Sequence, residues 1–213
     1  LSTPHGSGAI ALIRMSGKKA HLILKKIFAD KNFKPIDAAL FKTHTIHFGV
    51  IHDRQIVIDE VLVSVFHLPH SYSGEDSVEI SCHGSQFIQQ QILQLLVKKG
   101  ARLAEPGEFT LRAFLSGKFD LSHSEALADL IASNSSTSHQ IAMQQMRGGF
   151  SNKIKILREN LVNFASLVEL ELDFSEEDVA FADRDDLKQL IASIQKVIQR
   201  LVDSFEVGNV IKN

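Results

Sequence analysis

The stretch "EPGEFTLRAFLSGKFDL", residues 105–121, decides the fold because two kinds of sequence meet on it. Before it, β-branched segments alternate with helical ones. After Pro106 the strand signal stops and apolar residues recur at helical spacing. Pro106 and Gly107 turn the chain, Phe109 and Phe114 read as anchors into a core, and Arg112 and Lys118 bracket a short helix stopped by Gly117. The spacing predicts an α+β N-terminal domain over residues 1–118, with a mixed or antiparallel sheet and packed helices. An all-α helical bundle follows over 119–213. The stretch itself reads as a ligand-facing connector between them.

Upstream, "GAIALIRMSG" (8–17) is a short apolar run closed by Ser-Gly, a strand. "KKAHLILKKIF" (18–28) then places Ala20, Ile23, Leu24 and Ile27 on one helical face. "THTIHFGVIHD" (43–53), "DEVLVSVFHLP" (59–69) and "DSVEISCHG" (76–84) are three β-branched segments, the first two forming a hairpin around "DRQIVID". "SQFIQQQILQLLVKKG" (85–100) carries Phe87, Ile88, Ile92, Leu95 and Leu96 at helical spacing and stops at Gly100.

Downstream, Ser122 with Glu125 three positions on predicts a capping box. Ile154, Leu157, Leu161, Phe164, Val168 and Leu172 step by three and four, as do Leu187, Leu190, Ile194, Val197, Leu201 and Phe205, so two long helices each bury one stripe. Asp183 and Asp186 suit the start of the second. The acidic break "DFSEEDVAFADRDD" (173–186) reads as caps and a solvated connection rather than a cation site. Gly208 reads as the end of the last helix.

The chain has 213 residues, enough for two modest cores, and a formal charge of -2, which provides no general attraction to phosphate backbones. No run of eighteen apolar residues occurs, so a membrane span is not expected. The single Cys82 cannot pair internally, and the cytoplasm is the expected compartment. Ten histidines show no metal-ligand spacing, and no metal site is expected. Leu1 in place of Met, with no signal-peptide pattern, suggests a natural start further upstream, and "SFEVGNVIKN" reads as a chain that continues.

Three stretches carry a resemblance: "STPHGSGAIALIRMSG", "PHSYSGEDSVEISCHGS" and "EPGEFTLRAFLSGKFDLSHSEALADLI". In order and spacing they resemble the amino-terminal region of the tRNA-modification GTPases called MnmE or TrmE. "VELELDFSEEDV" and "GNVIKN" are similar to that family's helical region and its entry into the G domain. The resemblance implies a tetrahydrofolate-binding and dimerisation domain with a fold like the glycine-cleavage T-protein, then the first part of a helical domain truncated before the GTPase domain. It further implies a homodimer that works with a flavin-dependent partner of the MnmG (GidA) type. Together they add an aminomethyl-type group to the wobble uridine of tRNA. A 5-formyl- or methylene-tetrahydrofolate would supply the one-carbon unit, with GTP, Mg2+ and K+ as further cofactors of the full-length protein. No G-x-x-x-x-G-K-[ST] occurs, since "GSGAIAL" has neither the lysine nor the spacing, so no GTP hydrolysis and no catalytic residue are expected within this stretch. Where the family shows two glycines after the histidine, this chain has Gly84 and Ser85.

By the family pattern, Arg14, Glu79 and Lys118 occupy folate-contacting positions. The chemistry suits them: a carboxylate accepts the paired donors of a pterin edge, and cations hold the glutamyl tail. Each has an alternative. Glu79 alternates with Val78 and Ile80 and projects into a pocket beside the sheet or is a surface carboxylate. Arg14, a cation in an apolar strand, needs a partner, which is ligand or an internal carboxylate such as Glu79 or Glu108. Lys118 is a ligand contact or a solvated helix-end cation. His83 is a proton carrier or a turn histidine held by backbone. Two rival functions remain at this level: a free-standing folate-dependent one-carbon transferase, and a non-catalytic dimerisation scaffold.

Overall fold

The computed structural model describes residues 1–173 and 184–212. The expected cap Asp183 and most of the acidic break lie outside the described residues, as do the side chains of Leu172, Leu201 and Phe205. The chain divides into two compact units, Leu1–Phe119 and Asp120–Asn213.

The first unit is built on one sheet. Strands β1 (Ile10–Ser16), β2 (Phe28–Ala29), β3 (Thr45–Asp53), β4 (Ile56–Phe66) and β5 (Ser77–His83) lie in the order β1-β5-β4-β3-β2, and every pairing is antiparallel. The hairpin expected around "DRQIVID" is present, with Arg54 and Gln55 at its tip between β3 and β4. Period-two alternation gives the sheet one apolar face: Ala11, Ile13, Met15, Val61, Val63, Val65, Val78, Ile80 and Cys82 are buried together. Helices α1 (Ala20–Lys25) and α2 (Gln86–Lys98) supply Ala20, Ile23, Leu24, Ile92, Leu95 and Leu96 to the same core. Burial of each large side chain contributes about 1.5–3 kcal/mol.

Two positions differ from the helical-face expectation. Phe87 is exposed, and Gln89 takes the buried place, its amide donating to the carbonyls of Gly6 and Gly84 at 3.1 Å each. Gly84 is required for another reason: a Cβ there would sit 2.2 Å from the Gly8 carbonyl oxygen. Ser85 needs no such freedom, because it starts α2 with an ordinary extended backbone.

The second unit contains α4 (Leu121–Ala132), α5 (Ser136–Met146), α6 (Gly149–Asp173) and α7 (Arg184–Lys212), packed α4 on α5, α5 on α6 and α6 on α7. The capping box is not at Ser122. Asp120 caps α4 by accepting from the His123 N–H at 2.7 Å, because its carboxylate reaches the third helical amide while Ser122 is already inside the helix. The reciprocal box occurs instead at the start of α5, between its N-cap Ser135 and Ser138 in its first turn. Asp185 and Asp186 occupy the first turn of α7, and that helix runs through Gly208 to Lys212, past the stop expected there. Of the described α6 stripe residues only Leu157 and Phe164 are half-buried. Ile154, Leu161 and Val168 remain exposed, whereas the described α7 stripe residues Leu187, Leu190, Ile194 and Val197 are all half-buried.

Candidate functional site

The face of the sheet opposite the core carries Arg14 and Glu79. They are cross-strand partners, because β1 and β5 run antiparallel with Arg14 opposite Glu79. Both point away from the buried Ile13, Met15, Val78 and Ile80, as alternation requires. Arg14 Nε donates to Glu79 Oε1 at 2.7 Å, and its Nη2 meets the same oxygen at 2.6 Å. The partner of Arg14 is thus Glu79, with Glu108 engaged elsewhere. About a fifth of each side chain stays exposed, 23% and 20%, so the pair lies at the surface of the sheet.

Two aromatic rings flank the guanidinium. Its central carbon is 4.8 Å from the centroid of Tyr72 and 5.6 Å from that of Phe109, within the range of cation–π attraction. Phe109 is therefore part of this cluster, not only a packing anchor. Phe114 is exposed, and Ala113 is the buried residue of its helix. The Phe-x4-Phe pattern shows which positions are aromatic but not which one turns toward a strand cation.

Helix α3 (Glu108–Leu115) and the 67–76 loop hold these rings. Gly107 adopts a left-handed φ of 76° where the Pro-Gly turn enters α3. The Tyr72 hydroxyl and Thr110 Oγ1 are 3.0 Å apart, Ser116 Oγ donates to the Ser73 carbonyl at 2.9 Å, and Arg112 Nη1 donates to Glu75 Oε2 at 2.8 Å. Ser16 at the end of β1 donates to the same Glu75 oxygen at 3.0 Å. Glu108 accepts from Arg102 and from Arg112. Those two guanidinium groups and the Glu105 amide, Arg102 foremost, hold its carboxyl far below the usual range. Residues 105–119, read as a connector, belong to the first unit.

Lys118 is not in contact with the pair. Its Nζ donates to the carbonyls of Pro69, at 3.2 Å, and Ser71. It grips the loop that carries Tyr72. His83 is held by a carboxylate where backbone was the expected partner: its Nδ1 is 2.7 Å from Asp59 Oδ1, and its amide donates to Asp59 Oδ2 at 2.8 Å. An Asp inside an otherwise apolar strand, next to Glu60, was the available signal for that pair. Burial, with Asp59 nearby, pushes the Cys82 thiol up to about 11.

Comparison with known proteins decides the family. A family model described as "GTP-binding protein TrmE N-terminus" matches residues 1–118, and one described as "MnmE helical domain" matches 121–213. The chain belongs to the MnmE family. Curated MnmE relatives from Flavobacterium johnsoniae, Christiangramia forsetii and Bacteroides fragilis are 62%, 61% and 56% identical over the whole of this chain. Each of them is named a tRNA modification GTPase. The chain spans 45%, 44% and 45% of the length of these MnmE proteins. The expected α+β unit followed by helices is what the MnmE N-terminal and helical regions provide here. Among the described residues no helix is long and apolar enough to cross a membrane.

Proposed function

We propose that this chain is the folate-binding, dimerising and helical portion of a tRNA modification GTPase, with domains at 1–118 and 119–213. Its N-terminal domain presents a tetrahydrofolate one-carbon donor, 5-formyl or methylene, for aminomethyl-type modification of a wobble uridine with a flavin-dependent partner. GTP, Mg2+ and K+ are assigned to the rest of the protein, and the compartment to the cytoplasm.

The observation that carries the folate assignment is the Arg14–Glu79 pair between the rings of Tyr72 and Phe109. Both contacts of Arg14 fall on Glu79 Oε1, which leaves Oε2 for a pterin N–H, while Tyr72 and Phe109 offer apolar surface to a flat heterocycle. Arg14 fixes the Glu79 carboxylate at the heterocycle end, and Lys118 supplies positive charge for a glutamyl tail. Charge-assisted hydrogen bonds contribute about 1.5–3 kcal/mol each, so loss of the Glu79 contact weakens binding about tenfold or more. Calorimetric titration of 5-formyltetrahydrofolate tests this. One site per chain in the native protein, weakened at least tenfold by Glu79→Gln, is the expected result.

The internal ion pair itself favours a second reading, a scaffold in which Arg14 and Glu79 satisfy each other and hold no ligand. No heat on titration of the native chain would select it. For the homodimer we assign the open sheet face beside the pair. There Ile10, Ile46, Phe48 and Leu62 are 67%, 65%, 58% and 47% exposed, and Phe48 pairs with Leu62 across the strands. Phe48→Glu should convert the dimer to monomer in light scattering after size exclusion.

A further inference from the structure

His21 in α1, His67 at the end of β4 and Asp76 at the start of β5 each offer one ligand atom, all within 4.8 Å of one another. His21 is far from the other two in sequence, and His67 and Asp76 stand at opposite ends of the 67–76 loop, so no spacing pattern announced them. We propose that they form a binding site for a divalent transition-metal ion, zinc foremost, that clamps α1 to the 67–76 loop. The proposal does not depend on the folate assignment.

The hydrogen bonding around the three favours a metal over a proton. His67 Nε2 lies 2.8 Å from the Phe41 carbonyl oxygen. A carbonyl only accepts, so Nε2 carries the hydrogen and the neutral ring turns its Nδ1 lone pair elsewhere. That Nδ1 faces Asp76 Oδ1 at 3.9 Å, too long for a hydrogen bond and set by two acceptors with a gap between them. Asp76 Oδ1 is itself oriented by the Leu68 N–H at 3.0 Å. Two of the three ligands therefore have the outer partners that fix metal-binding groups: a backbone carbonyl behind the imidazole and a donor on the carboxylate. The third ligand is the least satisfied. His21 is 7% exposed, its Nε2 makes no hydrogen bond of good geometry although the backbone of Ser77 and Phe66 lies near its ring, and its ring centroid is 4.6 Å from that of His67.

The ligand atoms must draw together to bind an ion. Zinc bonds of about 2.0–2.2 Å at tetrahedral angles set ligand atoms about 3.4 Å apart, so a pair at the 4.8 Å limit of the cluster must close by roughly 1.4 Å, and His67 and Asp76, 3.9 Å apart, by roughly 0.5 Å. Both side chains are about one-third exposed, which permits that movement and gives an ion access. Two imidazoles and one carboxylate suit zinc or cobalt better than magnesium or calcium, which prefer all-oxygen shells. Three protein ligands leave a fourth position for water. The clamp would fix the loop that carries Tyr72 and the carbonyls gripped by Lys118.

The test uses untagged chain treated with a chelator and then titrated with zinc alone, and with Co2+ as a visible-absorption probe. One tight ion per chain, a raised melting temperature with zinc, and cobalt d–d bands of a low-coordinate nitrogen–oxygen site are expected. His67→Gln keeps a donor for the Phe41 carbonyl, and Asp76→Asn keeps an acceptor for the Leu68 amide, so both variants should fold. Each should weaken zinc binding at least tenfold and abolish the thermal shift. Absence of stoichiometric binding overturns the proposal. So does binding that is unchanged in both variants, which would place the ion on other histidines.

Discussion

Replacing Glu79 by Gln and Arg14 by Met, singly and together, measures how strongly the two strand residues hold each other. Both contacts converge on Oε1, at 2.7 and 2.6 Å, and about a fifth of each side chain is exposed. Fully exposed pairs are worth about 0.2–1 kcal/mol and hydrogen bonds to charged groups about 1.5–3 kcal/mol. The coupling should fall between, about 1–2 kcal/mol on the same scales. Arg14→Met also removes the contact with the Tyr72 ring, so it should cost about 0.5–1 kcal/mol more than Glu79→Gln. Urea unfolding followed by tyrosine emission reads the right place, because Tyr72 is the single tyrosine and the chain has no tryptophan. A coupling no larger than the roughly 0.5 kcal/mol scatter of independent sites refutes the reasoning. The pair would then be an incidental surface contact, too weak to preorganise anything.

Other consequences are open to equally direct measurement. Gly84→Ala should destabilise the first unit by about 1–3 kcal/mol, since its Cβ cannot coexist with the Gly8 carbonyl, and chemical denaturation reads the loss. Cys82 is buried with its thiol raised to about 11, so it should resist a thiol-specific reagent at neutral pH and react at once in denaturant. Glu108 has a depressed carboxyl pKa. Its contribution is complete above the ordinary value of 4.5 and fades as the pH falls below it, so native protein should lose stability on acidification more steeply than Glu108→Gln, measured by melting temperature against pH.

The strand and helix cores were legible because alternation and three-to-four stepping report burial directly: Ile13, Val78 and Ile80 on strands and Ile23, Leu24 and Ile92 on helices all lie where their spacing places them. Phe87 misleads because it stands one helical step, about 100°, before Ile88 and so off the buried stripe of Ile92, Leu95 and Leu96, while hydrogen bonding to two carbonyls draws Gln89 inward. Ser122 misleads because Asp120 offers an equally good capping oxygen two residues earlier. At the site, the direction of Glu79 followed from parity, but its pairing with Arg14 depends on the strand order, which hydropathy does not encode. Tyr72 and Phe109 reach the guanidinium through the 67–76 loop and α3, whose seating rests on hydrogen bonds such as Ser116 to Ser73 that leave no periodic trace. The His21, His67 and Asp76 cluster is invisible for the same reason.

The seam between β1 and β5 joins residues whose separation along the chain is large, 65 positions for Arg14 and Glu79. Closing so long a loop forfeits chain entropy before any contact rewards it. While the protein emerges from the ribosome, the first strand, at the edge of the sheet, must therefore wait unpaired until the fifth, the strand it hydrogen-bonds to, has been synthesised. A nascent chain shorter than that has a nearly complete β3–β4 hairpin but only half of the Arg14–Glu79 pair. The edge of the sheet that carries this pair therefore closes late in synthesis.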